Sequence, residues 1–420
     1  MNDSERRMTS PQLTRRRFLQ GSTVAGFSAF LAACGGGLGS PSPSAQTASG
    51  QPSPSGPTPE PTPAASPGGA LVVANWPAYI DLAGTAGDEG VYAPGSSPTL
   101  EEFQKKFGIT VDYQEKIEDN AEFFTTIEQQ LVAGLPTGWD LIVVTDWLAG
   151  QIIAKGWAEA IDQANVPTAE KNLRDQLRGQ VWDPEQTYHY PWQSGMAGIG
   201  YNTATLAAAG AKEPKSVADL FALPPDKISF LTEVRDTFAL TLLKLGITPD
   251  PTKITEDDLQ KVHDDIKPLA DKGLRFLDNA YLKEFASKSV WAAMVWSGDL
   301  ASSGTEGDTF VFPEEGSVVF TDNMIIPKGA ANKRNAEAFI DYYYDVDVAT
   351  AAAAYIYYVS PVEGVREKIA EVDEAAATDP YLSNLLFPSE ELQAKQVIFQ
   401  DLPEALEQKM NELYLDLSGA

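Results

Sequence analysis

Short apolar runs alternate with helix-length segments along most of this chain, and that alternation restricts its fold more than any other feature. LVVANW (residues 71–76), TVDYQEKI (110–117) and DLIVVT (140–145) have the length and β-branched content of strands. Between them, SPTLEEFQKKFG (97–108) and NAEFFTTIEQQLVAG (120–134) repeat apolar residues at helical spacing. Thr99 ahead of Glu101 and Glu102 gives the first helix a start signal, and Gly108 and Gly134 stand near the two helix ends. The series continues with KISFL (227–231), a helix over 233–245, TEDDLQKVHDDI behind an N-cap Thr255, LRFLD, and VWAAMVW (290–296). Strands that alternate with helices of this length predict α/β layers built on parallel strands. The loop over 81–96, rich in glycine and proline, reads as an insertion.

The alternation begins only near residue 70. Residues 35–69 are dominated by Pro, Ser, Gly, Thr and Ala, with Glu60 as their only charge, a composition that cannot bury enough apolar surface to order itself. In extended polyproline form such a leash reaches up to ~100 Å. Upstream, TRRRFLQ (14–20) precedes an apolar stretch too short to span a bilayer, which describes an export signal. Arg15 and Arg16 followed by Phe18 and Leu19 resemble the twin-arginine export consensus, and LAAC (31–34) resembles a lipobox. The expected organisation is a signal over 1–33, a lipid-bearing Cys34 that opens the 34–69 linker, and a folded body from residue 70. Acyl chains on Cys34 would attach the body to the outer face of a membrane, in a periplasm or at a cell surface. Cys34 is the single cysteine, so neither disulfides nor cysteine metal sites are available to the body.

With 31 Lys+Arg against 59 Asp+Glu, the formal net charge is −28, which argues against nucleic acid as a partner. No HExxH, CxxC, GxSxG or dinucleotide-type glycine pattern occurs in a supporting context, so neither a metal nor another cofactor is expected. His263, in the charged segment KVHDDI, reads as solvated. GMAGIG (195–200) lacks a phosphate-loop lysine and reads as a strand crossing between domains.

What recurs is aromatic residues beside carboxylates at strand ends. NWPAYID (75–81) brings Trp76 and Tyr79, and VVTDW (143–147) brings Thr145, Asp146 and Trp147. LTEVRDTF (231–238) opens a helix with Glu233 and Asp236, and VWSGD (295–299) ends with Trp296 and Asp299. VVFTDN (318–323) supplies Phe320 and Asp322, and YYVSP (357–361) supplies Tyr358 and Ser360. Core packing explains any one aromatic, and a helix N-terminus explains an acid such as Asp236, but neither explains the repetition. Ligands of open α/β sheets bind beyond the carboxyl ends of strands. Ring faces attract ammonium groups and pack on methylenes, so a slot of rings with acids at its ends suits a linear organic polycation.

From about residue 71 onward the chain resembles the spermidine/putrescine-binding proteins of polyamine ABC transporters. The resemblance is carried in order by NWPAYI, WDLIVVTDWLAG, WQSGMAGIGYN, FLTEVRDTFALTLLKLG, VWSGD, FPEEGSVVFTDNMIIPKGAANKRNAEAFIDYYYD and YYVSPV. It implies a two-lobed α/β fold of periplasmic-binding-protein type II, with the ligand cleft between lobes joined by hinge crossovers. The lobes would comprise 70–196 plus 321–362 and 197–320 plus 363–420, with crossovers near 195–200, 317–321 and 360–367. The resemblance also implies a non-enzymatic monomer that hands a polyamine to a permease. Trp76 and Tyr79 match an aromatic pair, Thr145 a hydroxyl that meets an amine, and Trp147 an aromatic beside it. Asp236, Trp296 with Asp299, Phe320 with Asp322, and Tyr358 match the remaining ligand contacts. Glu233 belongs to the same helix start, and Gln400 in VIFQDL is a weaker match to a glutamine of spermidine-type members. Those proteins carry an acid before the tyrosine where this chain has Ala78, and Asp81, Asp88 and Glu89 are the nearby acids available to compensate. Diamine, triamine and agmatine-like ligands therefore stay open. From the residues alone two other readings also stand: a surface-anchored glycoside hydrolase using two of these acids, and a binding protein for an iron complex or a sugar.

Overall fold

The computed structural model describes residues 67–83, 92, 93, 95–399 and 402–419. The export signal with Arg15 and Arg16, Cys34, most of the linker, Asp88, Glu89 and Gln400 lie outside the described residues.

Among the described residues ten strands form one sheet: β1 (Gly69–Asn75), β2 (Ile109–Glu115), β3 (Leu141–Thr145), β4 (His189–Asn202), β5 (Ile228–Leu231), β6 (Arg275–Leu277), β7 (Ala292–Trp296), β8 (Asp308–Val311), β9 (Ser317–Ile325) and β10 (Gln396–Val397). The main order is β2-β1-β3-β9-β4-β7-β5-β6, with β10 on β9 and β8 on β4. β2-β1-β3 and β6-β5-β7 are parallel groups, as the alternation predicts. Between them the pairings β3–β9, β9–β4 and β4–β7 are antiparallel, which the alternation does not predict.

β4 joins the two groups. Its first part, His189 to Ala197, pairs with β9, and from Ala197 to Tyr201 it pairs with β7. All of its residues are buried, the pattern of a strand covered on both faces. The GMAGIG glycines are explained by this crossing. A Cβ on Gly198 would stand 2.6 Å from the Phe310 ring, and one on Gly200 would stand 2.5 Å from Leu300. Close approach of neighbouring side chains, not phosphate binding, requires glycine there.

Helices dress each group. Pro98–Phe107 packs on β2, and Lys333–Tyr343 packs on β1. Val234–Lys244, Glu256–Ala270 and the last helix, Glu404–Ser418, pack together beside β5. Thr255 is the N-cap as expected, and it also forms a capping box with Asp258. The start of Pro98–Phe107 differs from expectation: its N-cap is Ser97, whose side chain accepts from the Leu100 N–H. Thr99 instead donates its N–H to Asp81, which also accepts from the Ser97 hydroxyl. His263 is not solvated as its charged neighbours suggest. Its side chain is 12% exposed and lies between Asp264 and Asp416, with Nε2 2.9 Å from Asp416. No helix among the described residues is long and apolar enough to cross a membrane.

Candidate functional site

The parallel strands of both groups deliver side chains to one place. β1 ends at Asn75 and leads into Trp76 and Tyr79; β3 ends at Thr145 and leads into helix Asp146–Ala154, which carries Trp147. From the other group, β5 leads through Glu233 into Val234–Lys244 with Asp236, and β7 ends at Trp296, three residues before Asp299. Phe320 and Asp322 stand inside β9 rather than at a strand end, a correction to the sequence reading. Tyr358 follows a helix, not a strand: Tyr357, with φ 58°, turns the chain at the end of Val346–Ile356. The ten residues matched to ligand contacts line one cavity, and Glu233 lines it too, whereas Asp146 and Ser360 from the same stretches do not.

Sequence reasoning missed Asn120, Arg235, Asn279 and Phe399 in the same lining, and Tyr281, which bonds to Asp299. Arg235 sits inside the quoted LTEVRDTF, beside two acids, and was legible there. Asn120 and Asn279 carry no sequence signal that separates them from capping or turn residues. Neither Asp81 nor any other described residue of the 81–96 loop lines the cavity. Asp81 therefore does not stand in for the acid missing at Ala78. Ala78 is itself in the left-handed region, φ 60°, and its N–H donates to Glu115, an exposed residue on β2.

The rings meet edge to face across the cavity. Trp76 and Trp296 are 6.1 Å apart at 71°, and Tyr79 and Tyr358 are 5.1 Å apart at 80°. Two glycines make room for Tyr358. A Cβ on Gly298 would overlap its ring, and one on Gly195 would stand 2.6 Å from it and 2.5 Å from Phe320. Each indole N–H that is bonded has a definite acceptor: Trp76 Nε1 donates to the Val143 carbonyl at 3.0 Å, and Trp296 Nε1 to Asp236 at 2.8 Å. The space left between these groups is about 50 Å³ for the centres of water molecules.

The carboxylates are held by neutral donors. Asp322 accepts from the hydroxyls of Tyr79 at 2.9 Å and Thr145 at 2.7 Å. Asp299 accepts from Tyr358 at 2.7 Å, Tyr281 at 2.5 Å and the Asn279 amide at 2.7 Å. Glu233 accepts from Asn120 at 3.1 Å. Burial pushes Asp322 and Asp236 up to about 7 against these stabilising donors. It raises Glu233 as well, with the charges of Asp119 and Asp236 adding to the effect. Burial also lifts the Tyr79, Tyr281 and Tyr358 phenols well above their ordinary value, so they remain protonated donors.

Arg235 is the cationic side chain among the described residues of the lining, and its charge is already answered. Its Nη2 donates to Glu407 at 2.9 Å, and its guanidinium lies 4.1 Å from the centre of the Trp147 ring. Four acids thus converge there, and Arg235, the cation near Glu233 and Asp236, is already paired with Glu407. Ionising acids so buried is unfavourable until a cation enters. Among the described residues no group of three or more His, Cys, Asp or Glu side chains is placed to hold a metal ion. The lining suits an organic cation whose charged ends meet carboxylates and whose carbon chain meets rings.

Two α/β groups, crossover strands shared between them and a cleft lined from both make the two-lobed α/β fold of the type II periplasmic binding proteins. Residues 99–381 match the bacterial extracellular solute-binding proteins, and the chain belongs to that family. It is 27% identical over 368 residues to the putrescine-binding periplasmic protein SpuD of Pseudomonas aeruginosa, across 83% of this chain and 92% of the relative. Its fold is similar to the spermidine/putrescine ABC transporter substrate-binding protein PotD from Streptococcus pneumoniae (TM-score 0.63, 23% identity, 83% of this chain and 98% of that one). It is similar as well to the Atu4243–GABA receptor (TM-score 0.59, 20% identity, 83% and 98%).

Proposed function

We propose that this chain captures polyamines, putrescine and/or spermidine, outside the cytoplasm and presents them to the permease of an ABC importer. The observation that carries this reading is the convergence of Glu233, Asp236, Asp299 and Asp322 on one ring-lined cavity whose cationic side chain, Arg235, is already paired. The similarity to a putrescine-binding relative points the same way. In this reading the ligand's carbon chain lies against Trp76, Tyr79, Trp147, Trp296, Phe320 and Tyr358. Its ammonium groups meet Asp322 with Thr145, Asp236 and Asp299, with Glu233 beside them.

The lobes are 70–196 plus 321–362 and 197–320 plus 363–420, and they close on the ligand by bending at the crossovers near 195–200, 317–321 and 360–367. The pairing change of β4 at Ala197 supports the first of these boundaries. Ligand contacts with both lobes together favour the closed form and add to those, such as Asn120 to Glu233, that already draw the lobes together in the ligand-free chain. Lipid on Cys34 anchors the chain, after twin-arginine export, and the 35–69 leash lets a monomer reach its permease.

A thermal-shift panel tests the reading on the ligand class. Putrescine or spermidine should raise the melting temperature, whereas GABA and a neutral sugar should not. A shift with GABA or the sugar and none with either amine would refute the polyamine assignment.

A further inference from the structure

Asn120 opens helix Asn120–Val132 and is 1% exposed. Its carboxamide has only one consistent orientation. The Thr145 main-chain N–H can only donate, and it meets Asn120 Oδ1 at 3.1 Å, so the other arm is the amide nitrogen. That nitrogen donates to Thr145 Oγ1 at 2.9 Å and to Glu233 Oε2 at 3.1 Å. Because Thr145 Oγ1 accepts from Asn120, its own proton is directed to Asp322 Oδ1 at 2.7 Å. One amide therefore sets the donor direction of a hydroxyl on one carboxylate and reaches a second carboxylate. Asn120 and Thr145 follow β2 and β3, whereas Glu233 follows β5 at the other end of the sheet. Opening the cleft would separate Asn120 from Glu233.

We propose that Asn120 is a positioning residue of the site. It holds Thr145 and Asp322 ready for one ammonium group and ties Glu233 to them as the cleft closes. For the identity of the ligand this inference rests on the polyamine reading; the bridge itself does not.

Two readouts on the full chain test it: calorimetric affinity for putrescine and spermidine, and the ligand-free radius of gyration from small-angle scattering. Asn120→Asp keeps the size but sets a carboxylate against Glu233 and turns the Thr145 proton away from Asp322. It should expand the ligand-free chain and weaken amine binding at least ~10-fold, the usual worth of a hydrogen bond to a charged group. Adding Glu233→Gln exchanges amide and carboxylate across the cleft. The double variant should return to the compact radius and bind at least ~3-fold tighter than the single one, a rescue that a purely structural asparagine does not give. Asn120→Ala, which adds no charge, should also weaken binding about 10-fold. A compact Asn120→Asp chain, or a double variant that binds no tighter than the single, would overturn the proposal. If Asn120→Asp fails to fold, unchanged affinity in Asn120→Ala would overturn it as well. If the unsubstituted chain binds neither amine, the polyamine reading fails, and the scattering comparison alone decides the bridge.

Discussion

Asp322 is 3% exposed, yet the groups that face it are hydroxyls and no cation among the described residues answers its charge. Removing that charge relieves a desolvation cost in the ligand-free chain and removes an ion pair from the complex. Asp322→Asn and Asp299→Asn should each weaken diamine binding by ~30-fold or more, the penalty for truncating one partner of a buried charge pair. The ligand-free melting temperature should hold or rise, and calorimetry with melting curves separates the two effects. The same burial makes stability depend on pH. Asp236 and Asp322 sit near 7 in the fold against an ordinary 3.8, so the folded chain holds their protons more tightly than the unfolded one. Their contribution is complete below about pH 4 and is lost as pH rises through about 7. The ligand-free melting temperature should therefore fall between about pH 5 and pH 8, and the shift produced by an amine should grow over that range. A profile whose slope is the same after Asp236→Asn and Asp322→Asn would contradict the assignment. The charged and aromatic half of this site was legible in the sequence because rings beside acids are rare enough to stand out. Asn120 was not, since its meaning lies in Glu233, which is 113 positions away in the chain.

At the scale of elements, the flanking strands and helices were legible because their periodicity and caps are local. The antiparallel middle was not. β9 pairs with β3 and β4 through residues far apart in sequence, and no turn signal announces such a pairing. For that reason Phe320 and Asp322 read as strand-end residues, although they lie inside a strand that passes through the site. The glycines of β4 show the same limit from the other side: the sequence marks them, and only packing explains them. Gly195→Ala would set a Cβ 2.5 Å from Phe320 and 2.6 Å from Tyr358. The rings must yield, so the change should destabilise the chain by about 1–3 kcal/mol and also weaken amine binding. Chemical denaturation and calorimetry on the same variant check both, and loss of stability with full affinity would show that ring placement does not matter to the site.

For the whole molecule, the formal net charge is −28, and four of its carboxylates line the cleft. Such a field draws cations toward the cleft and is screened by salt. The most direct measurement is calorimetric titration of the chain with putrescine, spermidine and a neutral sugar at low and moderate salt. One-to-one binding of an amine that weakens as salt rises, with no heat from the sugar, is the predicted result. No binding of either amine, or binding of the sugar, would contradict the account, and an agmatine-like cation would then be the next ligand to titrate.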